Sequence, residues 1–162
     1  MALMTISIKP IGVIRTPYQE PRDMPIQGKF DPTVQGRAEV FPEYAQGLKD
    51  IEGFSHLILM YYFHKVAAEK LIARPFLEDD YHGIFAIRAP VRPNRIGFSI
   101  VKLEAVEEGR GIVFSEVDML DNTPLLDIKP YVSHFDSRDG VRNGWVEKHF
   151  DSGQIPRRAR LE

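Results

Sequence analysis

With 162 residues, 43% of them apolar, the chain has the length of one domain and can bury roughly 70% of the surface its unfolded form exposes. It contains no cysteine, which excludes a disulfide framework, a thiolate nucleophile and zinc held by thiolates. A formal net charge of −2 gives no global basic field for nucleic acid, so any RNA contact must come from a local patch or from two patches joined in a dimer. The N-terminus carries no basic leader with a long apolar core, and no apolar run approaches the ~20 residues that span a bilayer, so a soluble cytoplasmic protein is expected.

Residues 6–16, ISIKPIGVIRT, mix β-branched apolar residues with single polar ones and predict a first strand that ends before Pro17. Residues 18–32 carry Pro21, Pro25, Gly28 and Pro32 among charges without periodicity, the pattern of a long surface loop, and such loops in compact domains often serve function. Residues 36–41 alternate as a second strand, and residues 42–48 suit one or two helical turns opened by proline. Residues 54–64 hold the run LILMYYF between His56 and His64, which predicts a central strand covered on both faces. In an extended chain those two histidines stand about 26 Å apart, too far to share a metal. His56 reads as a structural hydrogen-bonding group; His64, beside Lys65, is open between a structural and a functional role.

Residues 67–72 contain good helix formers but stop at Arg74 and Pro75, and the acids Glu78, Asp79 and Asp80 in the following turn read as a solvated edge. Strands are then expected at 84–88, 96–106, 112–120 and 125–132, with a hairpin turn at 107–111. Within 96–106 the alternation Ile96, Phe98, Ile100 gives way to Val101, Leu103, Ala105, a one-residue slip that predicts a bulge or a change of core face. Short strands with few helices predict a mainly β protein, a small antiparallel barrel with one or two short helices and a long N-terminal loop. No G-x-G-x-x-G follows a strand, so the Rossmann route to a nucleotide is missing.

Two polar segments stand out. FAIRAPVRPNRIG, residues 85–97, sets Arg88, Arg92 and Arg95 among prolines and Asn94, and the fixed φ of each proline makes this a stiff arm carrying three guanidinium forks. DMLDNTPLLDIKPY, residues 118–131, sets Asp118, Asp121 and Asp127 around an Asn-Thr-Pro turn, with Lys129 and Tyr131 behind. A cationic and an anionic segment side by side would suit a ligand bearing both charges. Arg88, at a strand end, is aimed at an anionic group, with an ion pair to Asp118 or Asp127 as its structural alternative. Beyond Tyr131, residues 133–140 lack the order of a calcium loop, residues 145–150 suit a helical turn, and Arg157, Arg158 and Arg160 either touch phosphates or keep a terminus soluble. The expected division is a barrel over 1–135 and an extension over 136–162 that completes the same domain or serves a dimer contact.

The stretches IGVIRTPY (11–18), FSHLILMYYFHK (54–65), GIFAIRAPVRPNRIGFSIV (83–101) and DMLDNTPLLDIKPY (118–131) together resemble the TsaA or TrmO family of S-adenosylmethionine-dependent tRNA methyltransferases. The resemblance implies a small β-barrel working as a homodimer, S-adenosylmethionine as cofactor, and methyl transfer to N6 of threonylcarbamoyladenosine beside the tRNA anticodon. It places cofactor contacts at Pro25, Ile26 and Gln27, at His64 and Lys65, and at Asp118, Met119, Leu120 and Asp121, with Arg88 alongside. The family often has a basic residue where Ile26 stands. Arg92, Asn94, Arg95 and Lys129 are the expected substrate contacts, and Asp127, His64 and Tyr131 are equal candidates for the general base. Longer members carry an additional C-terminal domain that helps hold tRNA. The competing readings are a non-catalytic RNA- or ligand-binding barrel, a methyltransferase for a small molecule or protein, and a metal-dependent hydrolase using Asp118, Asp121 and His134.

Overall fold

A computed structural model describes residues 4–151, 153 and 154; the tail arginines 157, 158 and 160 lie outside the described residues. Six antiparallel strands close into a barrel: β1 (Gly12–Arg15), β2 (Gln35–Val40), β3 (His56–Tyr62), β6 (Ile96–Glu107), β7 (Gly111–Ser115) and β8 (Thr123–Pro130), in the spatial order β1-β2-β7-β6-β3-β8. A two-stranded arm, β4 (Ile72–Ala73) with β5 (His82–Gly83), projects between β3 and β6. Two one-turn helices, α1 (Ser133–Asp136) and α2 (Glu147–Phe150), follow the barrel.

Alternation sets the interior. Ile14, Ala38, Leu57, Leu59, Val101, Ile112, Phe114 and Leu125 are fully enclosed and form the main core, because every second residue of a strand faces the same side. β3 was expected to be covered on both faces, yet its inward Leu57, Leu59 and Tyr61 alternate with half-buried Ile58, Met60 and Tyr62. Closing a single sheet into a barrel gives each strand only one interior face.

The slip read in residues 96–106 has a different origin. The inward phase of β6 is Gly97, Ser99, Val101 and Leu103, so Phe98 and Ile100 point outward, 43% and 39% exposed. The register shift falls later, between Leu103 and Ala105, and the carboxylate of the intervening Glu104 accepts from Ser115 Oγ at 2.6 Å. Small inward residues are required here because the Tyr61 ring fills the space: a Cβ on Gly97 would lie 2.2 Å from it.

Residues 84–88 do not form a strand. Ile84–Ala86 is a tight helical turn, and Ile84 and Ile87 bury themselves with Ala73 in a second, small core against Ala89, Val91 and Trp145. Residues 67–70 are not helical; Lys70 N–H donates to the Val91 carbonyl at 2.7 Å, spending its backbone on the arm instead.

Glu78 is not at a solvated edge either. It is buried and accepts from His82 Nε2 at 2.5 Å, Lys148 Nζ at 2.6 Å and His149 Nε2 at 2.8 Å. Trp145 stacks on His82 with ring centres 4.7 Å apart and donates from Nε1 to the Ala86 carbonyl at 2.8 Å, while Phe150 stacks on Phe30. The segment after the barrel therefore straps the arm to the end of the loop that begins at Tyr18.

Candidate functional site

The long loop is anchored by one residue. Gly28 is buried and its N–H donates to Asp118 Oδ2 at 3.3 Å, and a Cβ at this position would lie 1.7 Å from the Glu116 carbonyl oxygen. Only a residue without a side chain lets the two backbones approach so closely. Pro25 is buried beside it, Ile26 and Gln27 are half-buried, and Gln27 folds back on the Ile26 carbonyl at 3.0 Å.

Asp118 gathers the site. Its other oxygen accepts from Ser99 Oγ at 2.5 Å, and Ser99 in turn shares a 2.9 Å hydrogen bond with the Tyr61 hydroxyl. The carboxyl keeps a partial opening to solvent, but protein crowds around it, and this desolvation pushes it up to about 6 against the pull of Ser99, the Gly28 N–H and the Arg88 charge. Burial drives the Tyr61 phenol far upward as well, with the Asp118 charge second.

Arg88 comes to the same place from the arm. Its guanidinium lies over the Phe98 ring, 5.7 Å from the centroid, and reaches Gln27 Oε1 at 3.4 Å. Arg92 donates to the Ile87 carbonyl at 2.9 Å and Arg95 reaches the Tyr62 hydroxyl at 3.4 Å, while Asn94 and Arg95 hold left-handed backbone, φ 60° and 51°. Two of the three guanidinium forks thus contact the arm and its strand neighbour, and the contacts that remain with Arg88 are long or through a ring face.

The bend after Asp118 divides its residues. Met119 is buried in the core and its carbonyl accepts from Thr16 Oγ1 at 2.9 Å. The Leu120 carbonyl accepts from Thr123 Oγ1 at 2.7 Å. Asp121 accepts from the Thr16 N–H at 3.1 Å and from Asn122 at 2.8 Å, holding the bend against the end of β1. His64 Nδ1 stands 3.5 Å from Thr123 Oγ1; burial, then the Lys65 charge, lowers its pKa, with Asp121 opposing. Lys65 donates to the Gln19 carbonyl at 2.8 Å.

Three expected residues are elsewhere. Asp127 and Lys129 pair at 2.9 Å on the outer face of β8, opposite Met60 and Ile58. The Tyr131 N–H donates to the His56 carbonyl, at the strand end opposite His64. Ser99 pairs with Leu59 and Phe98 with Met60, so Tyr131 lies three to four residues, roughly 10–13 Å, along β3 from the Asp118–Arg88 region. The sequence reading missed Ser99 and Tyr61, because Phe98 and Ile100 dominate the apolar pattern around them.

The arrangement offers one carboxylate, one guanidinium, backbone groups of a pinned loop and an aromatic face. That set fits an amino-acid-bearing nucleoside such as S-adenosylmethionine, with charges for both signs of the amino-acid end and backbone groups for a base edge.

Residues 13–137 match the model of the tRNA-methyltransferase O N-terminal domain. A probable S-adenosyl-L-methionine-binding protein of Pyrococcus abyssi is 50% identical over 146 residues, 90% of this chain and 79% of that protein. The human tRNA (adenine(37)-N6)-methyltransferase is 31% identical over 153 residues, 90% of this chain but 34% of that protein. The crystal structure of TrmO from Pseudomonas aeruginosa superposes with a TM-score of 0.75 at 40% identity, covering 88% of this chain and 63% of that one. The chain therefore spans about two thirds or less of the TrmO and human proteins it matches, and it belongs to the tRNA-methyltransferase O N-terminal domain family.

Proposed function

We propose that this protein is an S-adenosylmethionine-dependent tRNA methyltransferase that modifies N6 of threonylcarbamoyladenosine beside the anticodon, working as a cytoplasmic homodimer. One observation carries the reading: Gln27, Arg88 and Asp118, from three distant parts of the chain, meet at one rim of the barrel. Relatives named as S-adenosyl-L-methionine-binding proteins and as a tRNA adenine-N6 methyltransferase support it.

When bound, S-adenosylmethionine supplies an electrophilic methyl on a sulfonium. The residues 25–28 loop and Asp118 bind and orient one side of the site; Arg88 holds an anionic group, either a carboxylate or an RNA phosphate. Such orientation is worth roughly 7–11 kcal/mol of a barrier. The acceptor nitrogen must lose a proton, and His64 is the best placed of the three candidate bases. It is half-buried at the rim and its lowered pKa keeps the imidazole neutral near pH 7, whereas Asp127 is committed to Lys129 and Tyr131 lies at the far strand end. The hydrolase alternative needs Asp118, Asp121 and His134 on one ion, and among the described residues no such group of three forms.

The deciding experiment incubates the protein with S-adenosylmethionine and tRNA from a strain lacking it, then digests the tRNA and weighs its nucleosides. A threonylcarbamoyladenosine heavier by one methyl group is the expected product. Unchanged tRNA alongside normal cofactor binding would leave a methyltransferase for another acceptor, and absence of cofactor binding would leave a binding module.

A further inference from the structure

Tyr18 is 6% exposed, packed in the main core, and its hydroxyl has no hydrogen-bond partner among the described residues. The rest of the residue is tied down. Its N–H donates to Thr16 Oγ1 at 3.2 Å, its carbonyl accepts from the Asp121 N–H at 2.8 Å, and Thr16 Oγ1 itself donates to the Met119 carbonyl. The bend that carries Asp118 thus fixes a buried hydroxyl in place while giving it nothing to bind. A buried hydroxyl without a partner costs free energy that a phenylalanine there would not, so the hydroxyl calls for a reason outside the fold.

Its surroundings indicate the chemistry. Burial, then the charges of Asp31 and Asp118, raises the Tyr18 phenol, so it stays protonated, a neutral hydroxyl that can still accept a hydrogen bond within reach of two negative charges. The Arg88 charge acts on Asp118 as well. A negative potential next to a guanidinium complements an α-amino acid, whose ammonium and carboxylate sit on one carbon.

We infer that the Tyr18 hydroxyl is a ligand-binding group that accepts from the ammonium of the ligand's amino-acid portion together with Asp118, while Arg88 takes the carboxylate of the same portion. The inference rests on the cofactor reading above and assigns one end of that ligand to three residues. Tyr18 then binds only ligands that keep their amino-acid portion.

The test compares wild type and Tyr18→Phe by calorimetry with two probes, S-adenosylhomocysteine and 5′-methylthioadenosine, which share the thioether nucleoside but differ in the amino-acid portion. Tyr18→Phe is expected to bind S-adenosylhomocysteine at least tenfold more weakly and 5′-methylthioadenosine within twofold of wild type. The ligand-free Tm should stay equal or rise, because an unpaired buried hydroxyl has been removed. Equal losses for both probes, no loss for either, or a lower ligand-free Tm, which would mean a structural water as partner, each overturns the inference while leaving the cofactor reading standing. Wild type that binds neither probe overturns both.

Discussion

Asp118 shows how this site works against its own fold. The carboxyl, raised from 3.8 to about 6, binds its proton more tightly in the folded state. Its contribution to stability is therefore full below about 3.8 and is lost as pH rises through about 6. Discounted for the solvent it still touches, ionisation at pH 7.5 costs about 2 kcal/mol. Asp118→Asn should flatten the stability profile between pH 4 and 6 and raise Tm above pH 7, while weakening S-adenosylhomocysteine binding by tenfold or more; thermal melts across pH and a binding titration check both. An unchanged pH profile in the variant would remove Asp118 from this role. His64 separates chemistry from binding at the same scale. His64→Gln is expected to lower kcat by about two to four powers of ten while S-adenosylhomocysteine affinity stays within threefold, as read by single-turnover kinetics and calorimetry.

At the scale of the element, the arm between β3 and β6 is too small to hold itself. A two-residue ladder and three buried side chains cannot offset the entropy of ordering some thirty residues, and the strap from Trp145 to Phe150 supplies the missing packing. Glu78 anchors that strap. Its carboxyl is held down to about 2 by Lys148 and then by the two histidines, so the anchor contributes fully above pH ~4.5 and is lost as pH falls toward 2. Trp145→Ala should free the arm locally. Hydrogen exchange is expected to quicken at least tenfold at the Ile84 and Ile87 amides, whose partners are the Leu71 and Ile84 carbonyls, and to stay unchanged at Leu59 and Val101 in the barrel. Because Arg88 rides on the arm, ligand affinity should fall in the same variant; barrel amides that quicken equally would mean the strap supports the whole fold rather than the arm.

The whole molecule presents an outer wall on β3 and β6 with Phe98 and Ile100 exposed beside half-buried Met60 and Ile58. Phe98 also carries Arg88, so a second copy covering this wall would close over the site. A dimer would likewise bring two sets of arm arginines together, which a chain of net charge −2 needs in order to hold a phosphate backbone. Ile100→Glu, a substitution outside the site, is expected to shift the protein from dimer to monomer in sedimentation equilibrium and to weaken tRNA binding. Wild type that sediments as a monomer at micromolar concentration would refute this arrangement.

The sequence by itself determined the barrel, because short apolar segments at 6–16, 36–41, 112–120 and 125–132, trimmed by the structure to 12–15, 35–40, 111–115 and 123–130, leave each strand one face to bury, and it picked out the arginine arm and the aspartate bend that the fold brings together. It misassigned what alternation does not govern. Residues 84–88 are apolar enough for a strand but lie outside the barrel, where a small core claimed Ile84 and Ile87. Glu78 reads as a solvated acid because two of its three partners, Lys148 and His149, are seventy residues away. Only the tertiary structure decided that Ser99 and Gly97 face inward to make room for Asp118 and Tyr61, that Gly28 pins the loop to the bend, and that Tyr18 ends in an unpaired hydroxyl. Each of these depends on how close two distant backbones come, and a linear pattern carries no measure of that distance.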